Sequence, residues 1–136
     1  MAQPTSNSNT DANSTNTVVH RAVYELNDER ITKCQAVLRS MGNHIKGKGG
    51  ADYAHLALMI HDEAHAYFLT ESATDLIKEM VENLQEQKAE LFVCGNTLKR
   101  FGVDPARLLP GLVVKPEGAM VAITDLVLAG YVYLRP

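Results

Sequence analysis

The residues best suited to chemistry lie in the stretch LFVCGNTLKRFG, residues 91–102. Cys94 follows a short apolar run and precedes Gly95 and Asn96. A thiol at a strand's carboxyl end and a helix's amino end faces unpaired N–H groups and the positive end of the helix dipole. That setting lowers a thiol pKa and favours the nucleophilic thiolate. Lys99 and Arg100, about one turn further on, could add positive potential. Gly95 would let the backbone turn tightly and leave the sulfur uncovered. Asn96 could cap the helix or donate to a bound anion. The bland alternative is a packed core thiol, since free cysteine is among the most buried residue types. That alternative is the better reading for Cys34, which shares an apolar helical stripe with Ile31 and Met41.

The histidines come next. His61 and His65 are four apart and would share one face of a helix. Cys94 could complete a zinc set with them, but two histidines fix neither a third ligand nor a geometry, and no metal is expected. His61 alone, at the end of a strand, could hydrogen-bond to or protonate something held at Cys94. His55 reads as packed within its strand, and His20 and His44 carry no readable role. Residues 42–49, GNHIKGKG, come close to the phosphate loop G-x-x-x-x-G-K-[ST]. Gly49 stands where that loop needs a hydroxyl, and the segment follows a helix and enters a strand, the reverse of the required context. No nucleotide or other cofactor is expected.

Elements must position these groups. VVHRAVYEL reads as a first strand. Asn27 or Asp28 can cap the helix that follows, with Ile31, Cys34, Val37, Leu38 and Met41 at helical spacing and Gly42-Asn43 as its stop. KGKGG then reads as a flexible loop. YAHLALMIH is nearly continuous apolar, as a strand buried on both faces should be. DEAHAYFLT reads as a short helix. ATDLIKEMVENLQEQ sets Leu76, Ile77, Met80, Val81 and Leu84 on one stripe, with Ser72 as a cap. ELFVC is a third strand and GNTLKRF a helical turn. Asp104-Pro105 opens a short helix through Arg107 to Leu109. LVVK is a fourth strand, Gly118 to Ala129 a helix stopped by Gly130, and YVYLR a fifth strand. This alternation predicts an α/β fold: a five-stranded parallel sheet in a three-layer α/β/α sandwich. Chemistry in such sheets gathers at the carboxyl ends of the strands.

Composition narrows the function classes. Residues 1–17 are mostly Asn, Ser and Thr and read as a disordered polar tail, leaving 18–136 as one domain. The net charge of −3 and the absence of tryptophan argue against a nucleic-acid surface. No apolar run is long enough to cross a bilayer, and the amino terminus lacks a signal-peptide core. The expectation is a cytoplasmic protein whose two cysteines stay reduced.

Residues 89–136 resemble the carboxyl-terminal half of DsrE-like proteins. The resemblance is carried by Cys94 to Leu98, Leu108 to Gly111 and Gly130 to Tyr133. It implies a homotrimer or paired trimers and, in sulfur-relay members, sulfur carried as a persulfide on a cysteine at the position of Cys94. It also implies sulfur donor and acceptor proteins as partners, and a sulfurtransferase-like role if the thiol is active. The sequence departs from many relatives after the second strand, where Asp62-Glu63-Ala64-His65 replaces a His-Gly loop. The competing expectation is a non-enzymatic oligomeric module of the same fold, with Cys94 and Asn96 lining a small-ligand pocket.

Overall fold

The computed structural model describes residues 18–136, so the expected tail at 1–17 lies outside the described residues. The elements alternate: β1 (His20–Leu26), α1 (Ile31–Lys48), β2 (Ala54–Ile60), α2 (Asp75–Glu86), β3 (Glu90–Cys94), α3 (Gly95–Phe101), β4 (Val113–Lys115), α4 (Ala119–Leu128) and β5 (Val132–Leu134). The segment Asp62–Phe68 forms a 3-10 helix, and Pro105–Arg107 a single 3-10 turn.

All five strands are parallel, in the order β4-β3-β2-β1-β5. The chain walks outward from β1 to β4 and then returns to the far side of β1. A right-handed crossover made in the opposite direction lands on the opposite face of the sheet. Accordingly Cys34, Ile77 and Leu98, from α1, α2 and α3, share one core with Ala22, Leu58 and Val93. Among the described residues α4 covers the other face, through Ala119, Ala122 and Ile123 against Val23, Met59, Phe92 and Cys94. The expected three-layer sandwich is present. Adjacent strands β3 and β4 therefore send their connections to opposite faces, and a crevice opens between their carboxyl ends. That is the switch point where open α/β sheets bind ligands.

Several local expectations are revised. Helix α1 runs through Gly42 and Asn43, because Met41 and Ile45 continue its buried stripe. Burying one such side chain is worth about 1.5–3 kcal/mol, more than the roughly 1 kcal/mol a helical glycine costs. Lys46 to Lys48 are thus helical rather than a loop, and Gly49, at φ 95, closes the helix. Arg30 is the N-cap residue; Asp28 instead accepts from the Arg30 N–H at 2.7 Å. Thr74, not Ser72, caps α2 by accepting from the Ile77 N–H at 3.2 Å. Leu76 lies off the buried stripe and is 47% exposed. His55 is exposed too, because α4 leaves the starts of β1, β2 and β3 bare on its face. The turn after Asp104-Pro105 ends at Arg107. His20 and His44 touch each other at 2.9 Å, and Tyr24 reaches the second ring nitrogen of His44 at 2.8 Å.

Candidate functional site

Side-chain alternation decides which groups meet. Leu91 and Val93 point into the larger core, so Phe92 and Cys94 point to the α4 face. Cys94 ends β3 and pairs in register with Lys115, the end of β4. It is also the N-cap residue of α3. Gly95 has no Cβ because the connection after β4 lies against it: an added Cβ would sit 2.9 Å from the Pro116 Cα. Its role is close approach of two backbones rather than a special turn. Gly118 then turns the chain into α4 at φ 94 and abuts the Asn96 side chain. Two helix starts thus converge on one sulfur.

The sulfur sits at the floor of an open cleft of about 430 Å3. His61, Asn96, Arg100, Glu117 and Met120 are among its walls. Cys94 is 5% exposed, so a ligand reaches little beyond its sulfur. Burial pushes its pKa up, but the N–H and hydroxyl of Thr97 and the N–H groups of Ala119 and Asn96 act against burial. The net shift is downward. None of the α3 N–H groups closes a tight capping bond to the sulfur, which suits a large, soft acceptor. Cys34 behaves oppositely. It is fully buried, and desolvation, helped by the charge of Asp28, raises its thiol to about 11.

His61 sits in the same cleft but is already engaged. Its Nε2 lies 2.7 Å from Glu25 Oε2 and its Nδ1 3.3 Å from Asp62 Oδ2. Both ring nitrogens are turned to carboxylates, as a buried imidazole requires, rather than to the thiol. Glu25 is itself buried, 8% exposed, and receives the Tyr133 hydroxyl and an ion pair from Arg135 at 3.2 Å. Burial would raise the Glu25 pKa; the hydrogen bonds from Tyr133 and His61 and the charges of His61 and Arg135 lower it overall.

Lys99 faces away, lining a separate hollow with Gly95, Leu98 and Pro116. Arg100 is the cation that reaches the cleft, bonded to Asp62 Oδ1 at 3.0 Å. His65 turns its Nδ1 to the Asp62 carbonyl at 2.7 Å and packs on Phe101 with ring centroids 4.6 Å apart. His61, His65 and Cys94 do not converge, and among the described residues no group of three or more His, Cys, Asp or Glu side chains is arranged to hold a metal. Glu25 and Thr97 escaped the sequence reading. The available signal was parity: Glu25 and Cys94 share the face that carries Val23 and Phe92.

The family model for DsrE/DsrF-like proteins matches residues 7–136. The chain belongs to the DsrE/DsrF-like family. Among solved structures it is similar to MTH1491 of Methanobacterium thermoautotrophicum, a protein of unknown function. The identity is 19% and the TM-score 0.76, over 86% of this chain and 99% of that one. It is also similar to the ychN protein of E. coli, with 16% identity and a TM-score of 0.66, over 87% of this chain and all of that one. At these identities the likeness speaks for the fold. No curated protein sequence matches the chain. Among the described residues no helix is long and apolar enough to cross a membrane.

Proposed function

We propose that this chain is a cytoplasmic sulfur carrier in which Cys94 holds sulfur as a persulfide. The observation that carries this reading is the contrast between its two thiols. Cys94 lies at the floor of an open cleft with its acidity raised, whereas Cys34 is sealed in the core with its acidity suppressed. Membership of the DsrE/DsrF-like family supports it.

The exchange balances without an added oxidant. The Cys94 thiolate attacks the outer sulfur of a donor persulfide. A new S–S bond forms, the donor's S–S bond breaks, and the electron pair leaves on the donor thiolate. In the reverse sense an acceptor thiolate attacks the outer sulfur and Cys94 departs as thiolate. A lowered pKa serves both steps, populating the nucleophile and improving the leaving group. Neither step requires a general base.

The donor and acceptor are proposed to be protein thiols that present sulfur at the cleft mouth. The exposed apolar row Met120, Val121, Val127 and Leu128 on α4 is proposed to pack between copies of this chain, as a homotrimer or paired trimers.

Intact mass spectrometry after incubation with a sulfane-sulfur donor tests the carrier reading. The expected result is a gain of one sulfur atom, reversed by a thiol reductant and lost in Cys94→Ser. An unchanged parent mass, or an equal gain in Cys94→Ser, overturns it and leaves a ligand-binding module of the same fold.

A further inference from the structure

Thr97 is a buried polar residue, 3% exposed, three positions after Cys94 on α3. With Cys94 as N-cap this is the N3 position, where the backbone N–H faces the cap and a side chain can reach back to it. Both the N–H and the hydroxyl of Thr97 bear on the sulfur.

The hydroxyl's orientation follows from what lies behind it. The Asp62 N–H donates to Thr97 Oγ1 at 3.0 Å. A hydroxyl has one proton to give and two lone pairs. With a donor occupying a lone pair, the proton is directed elsewhere, and Thr97 lines the same cleft as Cys94. Asp62 holds that amide in place at a cost. Its φ of 53 is the left-handed region, which non-glycine residues seldom enter. Arg100 and His61 hold its carboxylate and His65 holds its carbonyl. Backbone strain fixed at several points is characteristic of functional sites.

We propose that Thr97 is the positioning residue of Cys94, its hydroxyl turned onto the sulfur by the left-handed Asp62 amide, and that it favours release of the carried sulfur. This rests on Cys94 being the working thiol. While Cys94 carries sulfur, the negative charge sits on the outer atom and the inner sulfur is a poor acceptor. When an acceptor thiolate attacks the outer sulfur, the S–S bond breaks and its electron pair returns to Cys94 Sγ. The Thr97 hydroxyl donates to that charge as it forms, and charge-assisted bonds are about twice as strong as neutral ones. The other charged groups facing the cleft are His61 and Asp62 after β2, Arg100 on α3 and Glu117 before α4. Substitution at Thr97 removes none of these four groups, and Thr97→Ser also keeps the acceptor for the Asp62 N–H.

The test uses the full chain with Thr97→Val, which keeps the shape and loses the hydroxyl, and Thr97→Ser, which keeps the hydroxyl. The rate of Cys94 alkylation by iodoacetamide is followed against pH. Thr97→Val should move the midpoint to higher pH and slow labelling at pH 7 by about 3- to 10-fold, while Thr97→Ser stays close to the parent. A Val profile superimposed on the parent overturns the proposal. So does a Ser profile displaced as far as Val, which would assign the effect to packing. Thr97→Ala loses the hydroxyl without adding bulk and should move the midpoint in the same direction as Thr97→Val; an Ala profile superimposed on the parent overturns the proposal even if the Val variant fails to fold. The sulfur mass gain is recorded on the same samples. Its absence in the parent removes the carrier reading, whereas the alkylation profile judges Thr97 independently.

Discussion

Gly95 and Pro116 are in backbone contact: a Cβ on Gly95 would lie 2.9 Å from the Pro116 Cα and 3.0 Å from the Lys115 carbonyl oxygen. Neither obstacle is a flexible side chain. Gly95→Ala must push the β4–α4 connection outward and carry the Ala119 N–H away from Cys94. The expected cost is about 1–3 kcal/mol, read as a lowered denaturant midpoint, together with a rise in the pH at which Cys94 is half alkylated. An alanine variant as stable as the parent would refute the tight contact.

The fold should shift the two thiols in opposite directions, Cys94 down and Cys34 up. Cys94, with its pKa lowered in the fold, is expected to reach half-maximal labelling at a lower pH than it does in the unfolded chain. Cys34 should resist labelling until the chain unfolds, since its thiol is pushed up to about 11 and is fully covered. Peptide mapping after timed alkylation at several pH values reads both. Equal protection of the two cysteines at pH 8 would count against the difference.

Glu25 should make the fold acid-sensitive. Its folded pKa lies below the ordinary carboxylate value, so the unfolded chain takes up a proton first as pH falls. The stabilisation is complete above about pH 4.3 and is lost as pH drops through the lower folded value. Glu25→Gln should unfold more readily at pH 7, by about 2–3 kcal/mol, and lose less stability on acidification than the parent. Parallel stability curves for the two proteins would show that Glu25 contributes nothing to the pH dependence.

Leu128 is 80% exposed at the end of α4, near exposed Val127. If copies of the chain meet there, light scattering at micromolar concentration should give a trimer or a multiple of it. Leu128→Lys should shift the mass toward a monomer by burying an unpaired charge at the contact. A monomeric parent would dispose of the proposed assembly.

The fold was legible because alternating strands and helices, with one crossover sense, leave few arrangements. The position of Cys94 was legible for the same reason: a strand end that opens a helix lies at the carboxyl edge of a parallel sheet. Boundaries were less so. Gly42-Asn43 carries a stop signal that Ile45 overrules by packing, a long-range fact no local pattern contains. The direction of Lys99 depends on the rotation of a seven-residue helix, which its short sequence does not determine. Glu25 looked like an ordinary strand residue because its partners, Tyr133 and Arg135, are more than a hundred positions away. Thr97 stood in the quoted motif without a role, since its oxygen takes its meaning from the backbone of Asp62.

The donors that acidify Cys94 belong to helices on opposite faces of the sheet, Thr97 and Asn96 on α3 and Ala119 on α4. Only the intact sandwich brings them together. A chain whose α4 has come loose loses the Ala119 donor from that set. The acidity of Cys94 is therefore a property of the assembled layers, and loosening α4 should raise the pH at which this thiol is half alkylated.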